Sequence, residues 1–198
     1  FMTSMRTYRV NDIFYSLQGE GHNAGRAAVF VRLSGCNLAC PFCDTDFTSY
    51  ETLTAAEIVG RVQALVPAGS VRPMVVLTGG EPTLQADEAL VSAFHGAGFG
   101  TVAMETNGTM LPPASIDWLT VSPKTPVAVD RCDELKCIFG PDGILCDADI
   151  EATYRYVQPC DTGDEAANAE IIARCVDFVR LNPQWRLSLQ THKLAGFK

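Results

Sequence analysis

The sequence predicts an α/β protein whose mostly parallel sheet curls into a partial, modified β/α barrel. Three observations predict it. Short apolar runs of buried-strand type recur, the clearest being Met74-Val75-Val76-Leu77-Thr78. Amphipathic helical stretches lie between several of them. The segments rich in chemistry, 34–45, 78–82, 105–108 and 122–124, each follow a strand, and parallel sheets gather function at the carboxyl ends of their strands. Strands alternating with helices imply right-handed crossovers. The segments are too few for a complete eight-fold barrel, so an open or partial one is expected.

Residues 8–15 and 27–33 read as strands flanking a glycine-rich turn at 19–25. Thr54-Ala55-Ala56-Glu57 is a capping box that opens a helix to about Val66, stopped by Pro67. The Met74–Thr78 strand is broken by Gly79-Gly80-Glu81-Pro82. A helix from Gln85 to His95 and a strand from Thr101 to Glu105 come next. Further strands are expected near 117–121, 134–139 and 153–157. A long helix from Glu165 to Arg180 precedes a last strand, Trp185–Leu189. No repeat, low-complexity stretch or linker divides the chain, so residues 2–198 are expected to form a single domain.

The chain has 198 residues, nearly half of them apolar, enough for a full core. Phe1, ahead of Met2, reads as an added residue. No run of eighteen apolar residues and no signal-peptide pattern occurs, which predicts a soluble, cytoplasmic protein with no membrane partner. The net charge of −8 comes without a basic stripe, so nucleic acid is not an expected partner. Eight cysteines in such a chain read as metal ligands plus free thiols, not a disulfide framework. Cys132, Cys137, Cys146 and Cys175 have no metal spacing and are expected as free thiols, and His95 as a surface residue on its helix.

Cys36-Asn37-Leu38-Ala39-Cys40-Pro41-Phe42-Cys43 is the stretch around which the rest is arranged. Its C-x3-C-x2-C spacing brings three thiols together from one loop, enough for three corners of a cubane iron–sulfur cluster. Such clusters normally take four cysteines, so one iron would stay open to a small molecule. Zinc, or thiols that merely pack, are the other readings. Zinc would want a fourth ligand, and neither Asp44 nor His22 supplies a familiar spacing.

With an aromatic residue before its last cysteine, this loop resembles the cluster loop of the radical S-adenosylmethionine (SAM) superfamily, which uses a partial barrel. The resemblance implies a 4Fe–4S cluster on Cys36, Cys40 and Cys43. It also implies that SAM binds the open iron and is split into methionine and a 5′-deoxyadenosyl radical. Thr78-Gly79-Gly80-Glu81-Pro82 resembles the superfamily's segment that contacts the amino group of SAM. Paired glycines there let backbone approach a ligand closely.

Leu17-Gln18-Gly19-Glu20-Gly21, with Arg32 between Val31 and Leu33, is more specific. It resembles the 7-carboxy-7-deazaguanine synthase family, radical SAM enzymes of queuosine and other 7-deazapurine biosynthesis. Cys43-Asp44-Thr45, Glu105-Thr106-Asn107-Gly108, Ser122-Pro123-Lys124, Gln158-Pro159 and Gln190-Thr191-His192-Lys193 fit the same family, so the likeness runs from Leu17 to His192. It implies a ring-contracting lyase. The radical takes the hydrogen at C6 of 6-carboxy-5,6,7,8-tetrahydropterin, ammonia leaves, and 7-carboxy-7-deazaguanine forms.

By the same resemblance SAM meets Phe42, Cys43, Asp44, Gly80, Ser122, Pro123, Lys124, Gln158, Pro159, Cys160 and Asp161. Substrate meets Leu17, Gln18, Gly19, Glu20, Arg32, Thr78, His192 and the terminal Lys198. The rigid fork of Arg32 suits the substrate carboxylate. Thr45 is implied as a magnesium ligand, the substrate completing the shell. No side chain is assigned an acid–base role, Glu20 and Glu105 being the candidate proton carriers. A homodimer and an external flavodoxin- or ferredoxin-type reductant are also implied. The rival readings are a glycyl-radical-enzyme activating protein, which shares the cysteine loop, and an electron carrier, which would want a fourth cysteine.

Overall fold

The computed structural model of the protein describes residues 6–43, 45–46, 48–144 and 149–198. Among these residues ten strands form one sheet: β1 (Thr7–Leu17), β2 (Ala27–Leu33), β3 (Glu51–Thr54), β4 (Met74–Gly79), β5 (Val102–Thr106), β6 (Trp118–Val121), β7 (Arg131–Gly140), β8 (Gly143–Ile144), β9 (Glu151–Pro159) and β10 (Trp185–Leu187). They run in the order β10-β9-β7-β6-β5-β4-β2-β1-β3, with β8 folded back on β7. Neighbours from β10 to β2 are all parallel. Among the described residues the antiparallel pairs are β1 with β2, β1 with β3, and β8 with β7. Among the described residues β10 and β3 do not pair, so the expected open, mostly parallel sheet is what forms.

Among the described residues four helices accompany it: α1 (Ala55–Leu65), α2 (Glu88–Gly96), α3 (Glu165–Leu181) and α4 (Thr191–Ala195). The capping box is realised at α1, where Thr54 accepts from Glu57 N–H and the Glu57 carboxylate accepts from Thr54 N–H at 2.7 Å. At α2 the start shifts from the expected Gln85 to Glu88. The Asp87 carboxylate caps it by accepting from Leu90 N–H at 3.0 Å. Residues Pro82–Leu84 form a separate 3-10 turn. Strands β3 and β8 and helix α4 are additions to the expected elements, and the last strand stops at Leu187.

Strict strand–helix alternation does not hold. Segments 107–117 and 122–130, between β5, β6 and β7, contain no helix. They carry Pro112-Pro113, Pro123 and Pro126, which remove amide donors and clash with a preceding turn.

Side-chain alternation along each strand divides core from cleft. Val29, Val31 and Leu33 of β2, Val75 and Leu77 of β4 and Leu135 of β7 share one buried cluster with Ile58 and Val62 of α1 and Leu90 and Phe94 of α2. Each such fully buried side chain contributes about 1.5–3 kcal/mol. Ile171 and Cys175 of α3 cover Phe139 and Val157. Ala28, Met74, Val76 and Ala103 pack in a second cluster with Phe30 and Trp118.

Cys132 and Cys175 are buried free thiols whose pKa values burial pushes up to about 12 and about 11. Cys137 departs from expectation, being disulfide-bonded; Cys146 lies outside the described residues. His95 lies at the surface of its helix as expected, with its side chain 34% exposed. Its Nε2 meets Asp117 Oδ2 at 2.8 Å, and the same oxygen accepts from Val102 N–H. Among the described residues no helix is long and apolar enough to cross a membrane.

Candidate active site

The alternation that sends Val31 and Leu33 to the core sends Phe30 and Arg32 to a cleft of about 1080 Å³. Its walls are the carboxyl ends of the parallel strands and the loops that leave them. Cys36, Cys40, Phe42, Cys43 and Thr45 come from the loop after β2; Thr78 and Gly80 come from the end of β4. Glu105 of β5, Ser122 and Lys124 after β6, and the run Gln158–Asp161 at the end of β9 complete that side. Pro123 is buried and is not among the lining residues, although both its neighbours are. Asp44 lies outside the described residues.

Two backbone bonds couple the glycine loop to the cysteine loop. Gly80 N–H donates to Leu33 O at 3.1 Å and Glu81 N–H to Gly35 O at 2.9 Å. A Cβ at Gly80 would overlap the Gly35 carbonyl, so only glycine allows this approach. The Glu81 side chain is fully buried instead of facing the cleft. One of its oxygens accepts from Thr83 N–H, Thr83 Oγ1 and Thr106 Oγ1, and the other accepts from Asn107 N–H at 2.7 Å. Asn107 continues the chain of contacts by donating to Asn37 Oδ1 at 3.0 Å, inside the cysteine loop.

Leu17, Gln18, Gly19 and Glu20 reach the same cleft by a different route. Strand β1 runs antiparallel to β2, so its exit lies beside the start of β2, where Leu17 pairs with Ala27. The following loop crosses to the far side of the open sheet. Gly21 N–H donates to Ser188 Oγ at 2.9 Å and His22 N–H to Glu134 Oε2 at 2.8 Å. The His22 ring stacks on Tyr154 with centroids 4.0 Å apart. Thr191 donates through both its amide and its hydroxyl to Gly19 O. A Cβ at Gly19 would collide with the His192 ring, which ties this loop to α4. His192 and Lys198 also line the cleft, and Ser16 Oγ donates to Lys198 O at 2.7 Å. Lys198 Nζ pairs with Asp12 at 2.6 Å.

Several lining residues were not singled out from sequence: Lys136, Ile138, Asp12, Phe14 and Phe30. Lys136 had a readable signal, a cation inside the apolar run Leu135-Lys136-Cys137-Ile138, the same pattern that marked Arg32. Its ammonium stands 2.5 Å from Glu20 Oε2 and 3.4 Å from Glu105 Oε2. Burial opposes charge on both Glu20 and Lys136. The Lys136 charge and hydrogen bonds outweigh it at Glu20 and hold that pKa down, and the charges of Glu105, Glu20 and Glu134 outweigh it at Lys136 and hold that pKa up.

Glu134, deeper on β7, is pushed up to about 7 by burial, only partly offset by Lys136 and the His22 amide. Because the folded pKa lies above that of an unfolded glutamate, stability falls as pH rises from the ordinary carboxylate range through 7, and stays lower above it. Glu134→Gln is therefore expected to stabilise the protein at pH 8 relative to wild type, by on the order of 2–3 kcal/mol, and by little at pH 5. Paired urea melts at the two pH values check this.

The residues present fit a cluster with an open iron. Cys36 and Cys40 are half-buried and Cys43 is exposed. Burial raises the Cys40 pKa, the charges of Cys36 and Cys43 add to that, and Lys124 counters it, so the three thiols and Lys124 share one electrostatic environment. Among the described residues no three His, Cys, Asp or Glu side chains converge on a single ion position. Cys36, Cys40 and Cys43 line one cleft, and three thiolates from one loop can hold three corners of a cubane while leaving one iron open. Arg32 Nη1 donates to Thr45 Oγ1 at 3.3 Å, which puts a guanidinium beside the one neutral oxygen considered as a magnesium ligand.

The chain matches the Radical SAM superfamily over residues 30–128. It is 44% identical to the 7-carboxy-7-deazaguanine synthase of Burkholderia multivorans, over 94% of this chain and 97% of that protein. It is 45% identical to the 7-carboxy-7-deazaguanine synthase of Bacteroides thetaiotaomicron, covering 96% and 98%. The crystal structure of QueE from Escherichia coli superposes with a TM-score of 0.72 at 24% identity, covering 93% of this chain and 94% of that one, so the two share the partial-barrel fold. Membership at this level brings with it the superfamily's 4Fe–4S cluster and SAM: the chain belongs to the radical SAM superfamily and, within it, to the 7-carboxy-7-deazaguanine synthase family.

Proposed function

We propose that the chain converts 6-carboxy-5,6,7,8-tetrahydropterin to 7-carboxy-7-deazaguanine with loss of ammonia, serving queuosine or another 7-deazapurine pathway. The observation that carries this reading is that the Cys36–Cys43 loop and the Gln18–Glu20 loop, on strands of opposite direction, line one cleft. When bound, the cluster and SAM supply a 5′-deoxyadenosyl radical able to remove the hydrogen at C6.

Everything else falls to the chain's own side chains. Cys36, Cys40 and Cys43 hold the cluster. Phe42, the Gly80 backbone, Ser122, Lys124 and the Gln158–Asp161 run hold SAM. Arg32 forks onto the substrate carboxylate. Thr45, beside it, gives magnesium one protein oxygen, with substrate and water supplying the rest. Thr78, His192 and the Leu17–Glu20 loop seat the ring, and Lys198 closes the mouth. With SAM and the pterin bound, these residues would set C6 toward the 5′ carbon and keep stray hydrogen donors away, which is the protein's share in cofactor-borne radical chemistry. A homodimer, an external one-electron donor of flavodoxin or ferredoxin type, and a cytoplasmic setting complete the proposal.

Anaerobic incubation of reconstituted protein with reductant, SAM, magnesium and the pterin, followed by mass spectrometry, tests it. The expected result is a deazaguanine together with 5′-deoxyadenosine. 5′-Deoxyadenosine alone would keep SAM cleavage and overturn the substrate. Neither product, from protein with an intact cluster, would point to an electron carrier.

A further inference from the structure

Strand β7 turns Glu134, Lys136 and Ile138 away from the helices. Of these, Lys136 makes the most connections across the site. Its ammonium bridges Glu20, on the loop after β1, and Glu105, on β5, at 2.5 and 3.4 Å. The second oxygen of each carboxylate is held by an amide. Gln18 Nε2 donates to Glu105 Oε1 at 2.7 Å, and Gln190 Nε2 donates to Glu20 Oε1 at 3.0 Å. The Lys136 side chain is 5% exposed, whereas those of Glu20 and Glu105 are 16% and 26% exposed. The cation therefore lies beneath the two carboxylates, and the carboxylates meet the cleft. An ionised carboxylate has about four lone-pair sites, so each keeps acceptor capacity for a ligand.

We propose that Lys136 is a positioning residue for substrate recognition: it holds Glu20 and Glu105 as a pair of acceptor-only carboxylates that take hydrogen bonds from the N–H edge of the fused-ring substrate. The proposal rests on the pterin reading above. A tetrahydropterin presents an amino group and ring N–H groups along one edge, and acceptors without hydrogens of their own are the complement to such a row. Protonation of either glutamate would put an O–H donor against those donors and leave a buried polar group unmatched. Two half-buried carboxylates facing one cavity repel each other, and a buried cation between them removes that obstacle.

The charged and titratable groups around Lys136 are Glu20, Glu105, Glu134 and, from the loop after β6, Lys124. Gln18, Gln190 and Gln158, which hydrogen-bond the glutamates, are neutral. Without Lys136, the burial that already opposes charge on Glu20 would be countered only by the hydrogen bonds from Gln190 and Gln158. Loss of the lysine should therefore be felt most in acid, where Glu20 would take up a proton.

Wild-type, Lys136→Met and Lys136→Arg holoenzymes separate this from a packing role. Binding of 6-carboxy-5,6,7,8-tetrahydropterin is measured by calorimetry at pH 6 and pH 8 with SAM but no reductant, and kcat/KM is followed across the same range. For Lys136→Met the loss of affinity should be far larger at pH 6 than at pH 8. Its kcat/KM should fall by about tenfold per pH unit on an acid limb that wild type lacks. Lys136→Arg should restore most of the flat profile, and it carries the test alone if Lys136→Met does not fold. 5′-Deoxyadenosine formed without pterin reports whether each variant keeps its cofactor site. Equal loss at both pH values, or an arginine variant no better than methionine, would overturn the proposal while leaving the substrate assignment standing. A wild-type protein that does not bind the pterin would overturn both.

Discussion

Cys40→Ala is expected to leave the chain folded but without a cluster. Cys40 is the middle thiol of the loop and stands in the same cleft as Cys36 and Cys43. Two remaining thiolates cannot retain a cubane that normally takes four cysteines and here has only three to offer. Iron and labile sulfide per chain should fall close to zero after reconstitution, and neither 5′-deoxyadenosine nor a deazaguanine should be detected. The half-buried loop adds none of its side chains to the buried apolar clusters. The melting temperature of the metal-free chain should accordingly move by no more than the equivalent of about 0.5 kcal/mol, typical of substitutions outside the core. Cys160→Ser, in the same cleft but outside the loop, should keep its iron. Full iron content in Cys40→Ala would mean that the cluster is held elsewhere.

Glu81→Ala should be the most damaging single change to the fold around the site. Its buried carboxylate accepts four hydrogen bonds, from Thr83 N–H, Thr83 Oγ1, Thr106 Oγ1 and Asn107 N–H. Hydrogen bonds to a charged group contribute about 1.5–3 kcal/mol each, and removing the acceptor leaves buried donors without partners. Relaxation recovers part of the loss, so a net cost of about 3–5 kcal/mol is expected. For a chain of this length that lowers the melting temperature by on the order of 10 °C. Glu81→Gln keeps the shape but turns an NH2 group toward one set of donors, and should fall between wild type and alanine. Thermal melts of the metal-free proteins check the order. A change below about 1 kcal/mol in the alanine variant would show that the network does not hold these loops. In the sequence Glu81 sits in a motif read as a SAM contact; in the fold the glycine beside it meets the cleft, while Glu81 ties three loops together from behind.

Lys136 and Arg32 show how close the unread part came to being readable. Both are cations inside apolar strand runs, and alternation turns both away from the helical core. Arg32 stands beside motifs quoted for the family likeness, whereas Leu135-Lys136-Cys137 is not among those motifs, and the charge partners that make Lys136 tolerable lie far away in sequence. The missing crossover helices after β5 and β6 could have been read from Pro112-Pro113, Pro123 and Pro126, whose lost donors work against helix wherever they stand.

By itself the sequence determined the cysteine loop, the α1 capping box, the glycine break after β4 and the mostly parallel sheet. The first three depend on residues within one short window, where spacing and backbone preference act without help from the rest of the chain; the sheet was readable from the recurrence of such windows along the chain. Only the tertiary structure decided that the Gln18–Glu20 loop faces the cysteines. The antiparallel course of β1 starts it from the other end of β2, and contacts with Glu134, Ser188 and Thr191 carry it across the open sheet. The ion pair between Glu20 and Lys136 joins residues 116 apart in the chain. It forms because burial makes each charge costly alone and the fold leaves them next to each other, a condition that no local stretch of sequence expresses.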